Sequence, residues 1–343
     1  MTPLKHRVTD KMDKKFKVAL VGCGVISDNH IVPLLALDGV ELVALCDIRP
    51  ERMEQKCALH GISPRLYTDY ERMLKTEELD AVHIATPHYL HEHMASLALE
   101  LGINVFLEKP MCISTEEIDK LIEAEKKSTA TACVCFQNRF TPAARYALEL
   151  AERDGGVKDA FASLFWRRDA EYYAQDPWRG KWATEGGGVM INQAIHTVDM
   201  LCQLLGRPTD VTATTANHTL KGCIEVEDTC EGVIDFEGGG RANFYMTNAF
   251  RGPDCASITF FTDNHKVELR LPSVFVDDRL VELENNTSVI GKACYGSGHN
   301  DLIELFYEAL RCGTGMPVTL DSAQYALRIL LGAYRSNDTI TKI

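Results

Sequence analysis

The feature that most constrains the fold is a short apolar segment that runs directly into a glycine-rich turn. Phe16–Val21 reads F-K-V-A-L-V, which is typical of a strand buried in a parallel sheet. The turn that follows reads G-C-G-V-I-S over residues 22–27, and a helical pattern extends from it to about Leu37. A strand, a tight glycine turn and a helix form the beginning of a βαβ unit. The free N–H groups at the start of such a helix favour phosphate.

The same alternation continues as far as about residue 137. Apolar strand patterns fall at 41–46, 81–85, 104–107 and 132–136. Between them lie helical patterns at 50–60 and 116–127 and a helix that ends near Leu101. This spacing predicts a doubly wound parallel sheet of the Rossmann type, which binds its ligand at the carboxyl ends of the strands. We therefore expect residues 1–137 to form a dinucleotide-binding domain, preceded by a polar extension over residues 1–15.

The second half of the chain has a different pattern. Strand-like segments at 160–166, 211–217, 229–236, 241–247, 257–262 and 266–271 have few helices between them, which favours a large, mainly antiparallel sheet. Helical patterns cover 142–153, 188–205, 302–311 and 321–334. We expect residues 138–343 to form an α+β domain for substrate binding and oligomerisation.

The overall composition excludes several classes of protein. The formal net charge of −13 argues against a nucleic-acid binder, which would need clustered Lys and Arg. No apolar run approaches the roughly 18 residues that a membrane helix needs, and the N-terminus lacks the apolar core of a secretory signal. The twelve cysteines are scattered without zinc-site spacing, so we expect no metal and reduced thiols in a cytoplasmic protein.

The glycine turn has the properties of a pyrophosphate site. Gly22 permits the tight turn, Gly24 allows close approach of the pyrophosphate, and the third position, Ser27, only needs to be small. Val25 and Ile26 begin the helix whose N-terminus would bind the phosphates.

Asp47 ends the second strand, twenty positions after Ser27. A carboxylate there accepts hydrogen bonds from the adenosine ribose and repels a 2′-phosphate, so NAD is favoured over NADP. Ile48 and Arg49 follow it, and an arginine nearby can accommodate that phosphate. The structural alternative for Asp47 is a turn or helix cap.

Three further motifs carry a family resemblance. They are A-T-P-H at 85–88, E-K-P at 108–110 and G-G-G-V-M-I-N-Q-A-I-H-T-V-D at 186–199. In this order, together with the glycine turn, they resemble the glucose–fructose oxidoreductase, inositol dehydrogenase and rhizopine-catabolism (Gfo/Idh/MocA) family along nearly the whole chain. The resemblance implies an NAD-dependent oxidoreductase that forms a homodimer or homotetramer and acts on a small polyol or sugar.

The resemblance also implies roles for individual residues. Lys109 corresponds to the active-site lysine and His196 to the general base, while Asn192 stands where the family most often has Asp. Asn cannot charge-assist the histidine, so Lys109 and His196 would share the proton chemistry. The residues implied at the nicotinamide end of the cofactor are Thr86, Pro87, His88, Glu108 and Lys109.

Each of these residues also has a purely structural interpretation. Lys109 would be a solvated charge at a strand end, and His196 a satisfied core histidine. Asp199 either places His196 or is a helix-surface carboxylate. The three glycines either allow close backbone approach or form a flexible turn. His91 and His93 are interpreted as helix-surface residues.

Substrate specificity is expected in the segments 137–140 and 172–182, where Asn138, Arg139, Trp178 and Arg179 are the candidate contacts, with Asn192 and His196. Aromatic rings beside Arg suit a pyranose, and Arg139 and Arg179 also suit a carboxylate or phosphate. The alternative for the segment with Trp178 is a loop docked on the core. The loop at 295–299 is a weaker candidate. The resemblance extends to enzymes acting on nucleotide-sugar uronates and to sugar 3-dehydrogenases, and leaves the two open.

Three functions compete. The first is a dehydrogenase that oxidises a ring hydroxyl of a sugar, inositol, glycoside or nucleotide sugar. The second is an NAD-dependent glycosidase that works by transient oxidation and elimination. The third is a non-catalytic NAD-binding regulator of the same fold. Because a regulator can dispense with Lys109 and His196, their presence places that function last.

Overall fold

The computed structural model describes residues 15–283, 297–336 and 338–343. In these ranges the chain forms two sheets, each covered by helices. The first sheet has six parallel strands in the order β3-β2-β1-β4-β5-β6. These are β1 (Phe16–Val21), β2 (Val40–Cys46), β3 (Arg65–Tyr67), β4 (Ala81–Ile84), β5 (Asn104–Leu107) and β6 (Ala132–Val134).

The predicted doubly wound sheet is confirmed, and β3 is the strand that sequence reasoning missed. β3 has three residues, lies at the sheet edge and has no buried side chain, so it lacks the apolar pattern that identifies a buried strand. The helices of this half are α1 (Asp28–Ala36), α2 (Pro50–His60), α3 (Tyr70–Thr76), α4 (His91–Glu100) and α5 (Thr115–Lys127). The next helix, α6 (Pro142–Arg153), packs against the second sheet.

The second sheet has nine strands in the order β14-β13-β12-β11-β7-β10-β9-β8-β15. These are β7 (Asp159–Phe165), β8 (Pro208–Ala216), β9 (Thr229–Phe236), β10 (Arg241–Thr247), β11 (Cys255–Phe261), β12 (Lys266–Arg270), β13 (Ser273–Val276), β14 (Arg279–Leu280) and β15 (Thr341–Lys342). Its central pair, β7 and β10, is parallel and the other pairs are antiparallel. The expectation of a mainly antiparallel sheet is confirmed, although the short strands β13, β14 and β15 were not predicted.

Four further helices belong to this half: α7 (Ala170–Ala174), α8 (Ile195–Leu205), α9 (Gly298–Cys312) and α10 (Leu320–Ser336). α8 and α10 pack on each other and on the second sheet, whereas α9 packs against α1 of the first half. The helix predicted over 188–205 therefore exists, but its first turn, Met190–Ala194, is a π-helix. π-turns are rare and occur often at functional sites.

One hydrophobic core runs through both halves, since a single cluster of buried side chains includes residues of the two sheets. Of the eleven cysteines in the described ranges, seven are buried, and all eleven are free thiols. None of the described helices has both the length and the apolar character that crossing a membrane requires.

Candidate active site

A cavity of about 730 Å³ opens at the carboxyl ends of the parallel strands and reaches the start of the helix that carries His196. Most of the predicted site residues lie in its wall: Gly22, Gly24, Val25, Ile26, Asp47, Ile48, Arg49, Thr86, Pro87, His88, Glu108, Lys109, Trp178, Arg179, Asn192 and His196. The fold thus brings the nucleotide-binding pattern and the polar groups of the second half into one cleft.

The glycine turn leaves room for a ligand on one side only. Gly22 has φ +91°, and a Cβ there would lie 2.3 Å from the carbonyl oxygen of Ala85. A Cβ on Gly24 would meet nothing nearer than an Arg52 nitrogen at 3.9 Å. Gly22 is therefore required by packing, whereas Gly24 faces open space, as the approach of a pyrophosphate requires. Ser27 is buried, and its hydroxyl donates to the carbonyl oxygen of Gly24 at 2.6 Å.

The carboxylate of Asp47 is held in place by backbone groups. It accepts hydrogen bonds from the N–H of Cys23 at 2.8 Å and from the N–H of Arg49 at 2.9 Å. The first bond ties the end of β2 to the glycine turn, so Asp47 is part of the turn's structure as well as of the cavity wall. A carboxylate in the cavity wall beside the glycine turn suits a ribose acceptor, and its cap-like bonds are compatible with that interpretation.

Apolar side chains line the rim of the cavity. Val25 is 90% exposed and Ile48 is 83% exposed, and both border the cavity. Across the rim, Asp176 lies 3.2 Å from Arg52 and 4.0 Å from Arg49. A dinucleotide would cover the two apolar residues, and the cavity, the open Gly24 and the fixed carboxylate together fit this cofactor.

Lys109 follows β5 at the inner end of the cavity. Its Nζ donates a hydrogen bond of 2.8 Å to the backbone carbonyl oxygen of Asn192. Burial lowers the pKa of Lys109 below its usual value, while the negative charge of Glu108 opposes this shift. The lysine therefore spans the two halves of the molecule and presents its ammonium group beside the π-turn.

His196 lies on the first turn of α8 and borders two cavities. Its Nε2 is 3.4 Å from the side-chain nitrogen of Gln137, and its Nδ1 is buried with no hydrogen-bond partner among the described residues. Burial, reinforced by Lys109, holds the pKa of His196 well below its usual value. The ring is consequently neutral at pH 7 and has a nitrogen available to take a proton.

The three glycines before the π-turn are packed tightly, so they do not form the flexible turn that the sequence left as an alternative. A Cβ on Gly187 would lie 2.0 Å from the hydroxyl of Tyr334, and one on Gly188 would lie 1.8 Å from the carbonyl oxygen of Glu227. The buried carboxylate of Glu227 accepts from the N–H groups of Gly188 and Met190. This close packing fixes the backbone that presents Asn192 to Lys109.

Asn192 is bound to a carboxylate that the sequence did not indicate. Its Nδ2 donates to Glu185 at 2.5 Å, and the same carboxylate accepts from the N–H of Gly180 at 2.5 Å. Burial raises the pKa of Glu185 above its usual value, against the effects of these donors, Arg179 and Lys109. The carboxyl group missing at position 192 is therefore present next to it, on Glu185.

Aromatic rings and arginines form one wall of the cavity. Trp178 lies 4.8 Å from the ring of His88. The guanidinium groups of Arg179 and Arg168 lie 4.6 and 4.8 Å from the ring of Tyr172, and all three residues border the cavity. Trp178 and Arg179 thus face the cavity, and Tyr172 comes from the same predicted segment. Arg168 is a cavity residue that sequence reasoning did not single out.

Arg139 does not lie in the position that was predicted for it. It borders neither cavity, and its buried guanidinium forms two bonds with Asp199, one of them Nε to Oδ2 at 2.8 Å. Asp199 is fully buried and both of its oxygens bond to Arg139, so it is neither a surface carboxylate nor a hydrogen-bond partner of His196. These two residues form a structural ion pair, because an isolated buried charge would be costly.

Asn138, His91 and His93 lie in three different environments. Asn138 borders a second cavity of about 370 Å³, which meets the first at His196. His91 is fully buried rather than on the helix surface, with its ring between the carbonyl oxygens of Pro110 and Thr86. His93 is exposed, as expected.

From the loop at 295–299, residues 295 and 296 lie outside the described ranges. His299 borders the first cavity, and its Nε2 is 3.5 Å from Glu108. The thiol of Cys135 is close to both, within 4.8 Å. These three side chains come from separate parts of the chain, so no spacing in the sequence could have grouped them.

Comparison with known proteins agrees with this geometry. The NAD-binding Rossmann domain of an oxidoreductase family, GFO/IDH/MocA, matches residues 16–136, and the C-terminal domain of that family matches residues 153–268. D-apiose dehydrogenase from Paraburkholderia graminis is 32% identical over 228 residues, which are 66% of this chain and 59% of that protein. The match therefore spans less than two thirds of that relative.

Two further relatives match over nearly their whole length. D-glucoside 3-dehydrogenase from Escherichia coli is 24% identical, covering 95% of this chain and 97% of that protein. The solved structure of the WlbA dehydrogenase from Bordetella pertussis, in complex with NADH and UDP-GlcNAcA, has a TM-score of 0.83 and 28% identity. It covers 96% of this chain and 99% of that chain.

Proposed function

Since the chain belongs to the GFO/IDH/MocA family of NAD-binding oxidoreductases, we propose that it is an NAD-dependent dehydrogenase acting on a sugar or sugar derivative. It transfers hydride between a ring hydroxyl or carbonyl and the nicotinamide. The observation that carries this proposal is the single cavity whose wall contains Gly24 and Asp47 as well as Lys109 and His196. A cofactor site that continues into a pair of proton-transferring side chains has the composition of a dehydrogenase site.

The chain's own residues would divide the chemistry as follows. Bound NAD supplies the acceptor for the hydride. His196 is neutral, so it is able to take the proton of the hydroxyl, and the Lys109 ammonium stabilises the negative charge that develops on the oxygen. Asn192 holds Lys109 through its backbone carbonyl and is itself fixed by Glu185.

A second candidate concerns the substrate class, a sugar that carries a carboxylate. Arg168, Arg179 and Lys109 all border the cavity, and the Nε atoms of both arginines are buried without a hydrogen-bond partner among the described residues. The chain has a net charge of −13, so this concentration of positive charge is local. Such groups suit a carboxylate, and the WlbA dehydrogenase was crystallised with UDP-GlcNAcA.

The remaining parts of the proposal are the domain boundary near residue 137, the dimer or tetramer, and the absence of nucleic-acid partners. The glycosidase and regulator functions stay as competing outcomes.

Size-exclusion chromatography with light scattering would measure the oligomeric state. A monomer at micromolar concentration would contradict that part.

The experiment is a panel of neutral sugars, inositols, glycosides and sugar uronates with NAD, followed by the absorbance of the reduced cofactor. We expect at least one sugar to reduce NAD, and Lys109→Met and His196→Ala to abolish turnover while NAD still binds. The matched controls are Lys126→Met and His93→Ala, which change exposed side chains of the same types. Turnover that survives in both site variants would refute the assignment.

Arg168→Gln separates the two substrate classes. If the substrate carries a carboxylate, KM for the uronate rises by about tenfold or more, since a lost charged hydrogen bond costs roughly 1.5–3 kcal/mol. KM for a neutral sugar of the same ring should not change. Equal effects on both would show that Arg168 acts on the fold rather than on the carboxylate.

A further inference from the structure

Behind the active site, four buried side chains form an unbroken row of hydrogen bonds. His30 Nε2 is 3.1 Å from Glu108 Oε1, and His30 Nδ1 is 2.9 Å from His83 Nδ1. His83 Nε2 is 2.8 Å from the hydroxyl of Tyr307. The row connects α1, β4, the end of β5 and α9, and His30, His83 and Tyr307 are 0% exposed.

The positions of the protons follow from which atoms can donate. A carboxylate only accepts, so His30 Nε2 carries a hydrogen, and in a neutral ring Nδ1 then accepts. His83 must therefore donate from Nδ1, which leaves its Nε2 to accept from the Tyr307 O–H. With both rings neutral, this is the assignment that makes all three contacts hydrogen bonds, and every donor points towards Glu108.

The surroundings of His83 support a neutral ring. Burial, followed by the proximity of His30, holds the pKa of His83 well below its usual value, while Glu108 opposes this shift. His83 is stacked on Phe106 at 4.7 Å, with Phe306 at its edge. Burial, followed by the negative charge of Asp80, raises the pKa of the Tyr307 hydroxyl well above its usual value.

At the other end, Glu108 is fixed by groups from several elements. His30 and His299 lie at 3.1 and 3.5 Å from its Oε1, the thiol of Cys135 is close by, and the backbone N–H of Lys109 donates to Oε2 at 3.3 Å. These imidazoles hold the pKa of Glu108 well below its usual value, although burial acts to raise it.

The charge of Glu108 acts directly on the reacting groups. Among the neighbours of Lys109, which also include Arg179, Cys135 and Glu185, Glu108 contributes most to opposing the effect of burial on the lysine pKa. Glu108 also opposes the lowering of the His196 pKa by burial and by Lys109. If the Glu108 carboxylate turned away, the pKa values of both Lys109 and His196 would therefore change.

We propose that His30, His83 and Tyr307 are positioning residues, which lock Glu108 as an oriented anion and thereby keep the Lys109 ammonium charged during the reaction. The role within catalysis rests on the proposed function, but the hydrogen-bond direction does not. The row acts through tautomers. If Tyr307 no longer donates, His83 is free to take the other tautomer, and its Nδ1 then meets His30 Nδ1 with no hydrogen between them. This contact is relieved only if His30 carries its hydrogen on Nδ1. Its Nε2 would then face the Glu108 carboxylate as an acceptor, and the hydrogen bond that holds Glu108 would be lost.

The direct test is the ring tautomer of each histidine in the intact protein, labelled with ¹⁵N-histidine and measured by long-range ¹H–¹⁵N NMR at neutral pH. Signals are assigned with His30→Gln and His83→Gln. We expect His30 as the Nε2–H form and His83 as the Nδ1–H form. A doubly protonated His30, or His83 in the Nε2–H form, would overturn the proposal. This measurement needs neither substrate nor turnover.

The functional test is Tyr307→Phe, which removes the donor and keeps the ring that packs on Phe306 at 5.0 Å. We expect the limb of the pH–kcat profile that belongs to Lys109 to move to lower pH by roughly 0.5–1 unit. KM for NAD should stay the same. Tyr67→Phe is the control, since it also removes a hydroxyl that donates to a carboxylate, that of Glu77, and Tyr67 borders neither cavity.

Three outcomes are informative. A shifted profile in Tyr307→Phe with an unchanged profile in Tyr67→Phe supports the positioning role. A lower melting temperature with an unmoved profile would mean that the row is structural only, and would overturn the proposal. If no sugar reduces NAD, the proposed function fails, while the NMR tautomers still decide whether the row is aligned.

Discussion

Replacing Glu185 by glutamine should lower kcat, because it loosens the residue that holds Lys109. The carboxylate accepts two hydrogen bonds of 2.5 Å, from the N–H of Gly180 and from Asn192 Nδ2. Glutamine has the same shape but only one acceptor oxygen, so its NH₂ group must face one of the two donors. At least one bond to a charged acceptor is therefore lost.

The expected size follows from that count. A hydrogen bond to a charged group contributes roughly 1.5–3 kcal/mol, which corresponds to about 10- to 150-fold in rate if the whole loss appears in the transition state. Because Asn192 carries the carbonyl that binds Lys109 Nζ at 2.8 Å, the effect should appear in kcat more than in KM.

A double-mutant cycle isolates the contact. Glu185→Gln, Asn192→Ala and the double variant are compared by kcat with saturating NAD, and the two changes should couple by about 1–2 kcal/mol. The control cycle pairs Asn192→Ala with Glu116→Gln, an exposed carboxylate on α5. Effects of Glu185 and Asn192 that add to within about 0.5 kcal/mol would refute the reasoning.

The pH dependence gives a second readout of the same residue. Burial raises the pKa of Glu185 above its usual value, so its carboxylate should gain a proton at a higher pH than an ordinary glutamate as the solution is acidified. Protonation removes the charge from the bond with Asn192, and kcat falls. The pH–kcat profile of Glu185→Gln should therefore lack this fall at acid pH. If the fall is unchanged in the variant, a group other than Glu185 causes it.

The remaining predictions concern the cofactor turn and the core. Gly22→Ala places a Cβ 2.3 Å from the Ala85 carbonyl oxygen at φ +91°. We therefore expect the free energy of unfolding to fall by roughly 1–3 kcal/mol or more, seen as a lower Tm, together with weaker NAD binding. Asp47→Ala should weaken NAD binding by about tenfold or more and improve the relative affinity for NADP. Calorimetric titration measures both, and an unchanged preference would contradict the ribose contact. Arg139→Met leaves Asp199 buried without its partner, and should cost about 3–5 kcal/mol of unfolding free energy by urea titration. KM for the sugar substrate should barely change. A large rise in this KM would show that Arg139 contacts the substrate after all.

The sequence by itself determined the framework. The glycine turn after β1 predicted the nucleotide end of the cavity, because Gly22 and Gly24 act through local backbone geometry that the spacing reveals. Most strands and helices were predicted for the same reason, since burial on one or both faces imposes a period on neighbouring residues. Lys109 and His196 were found from their motifs, and the structure places both in the wall of one cavity.

Tertiary structure decided which polar group meets which. Arg139 and Asp199 are 60 positions apart, and their ion pair exists because both side chains are buried at one point in the core. The row from Glu108 to Tyr307 joins residues that are 78, 53 and 224 positions apart. Hydrogen bonds between distant side chains leave no period in the sequence, so neither pairing could be predicted.

The feature that changed most is the residue at position 192. The sequence showed an asparagine without a charge, and therefore predicted that position 192 supplies no carboxylate to assist His196. In the folded chain, the packed glycines and the π-turn Met190–Ala194 bring Asn192 against Glu185 on one side and Lys109 on the other. Residue type is written in the sequence, but the electrostatic environment of each group depends on burial and on distant partners, which only the fold provides.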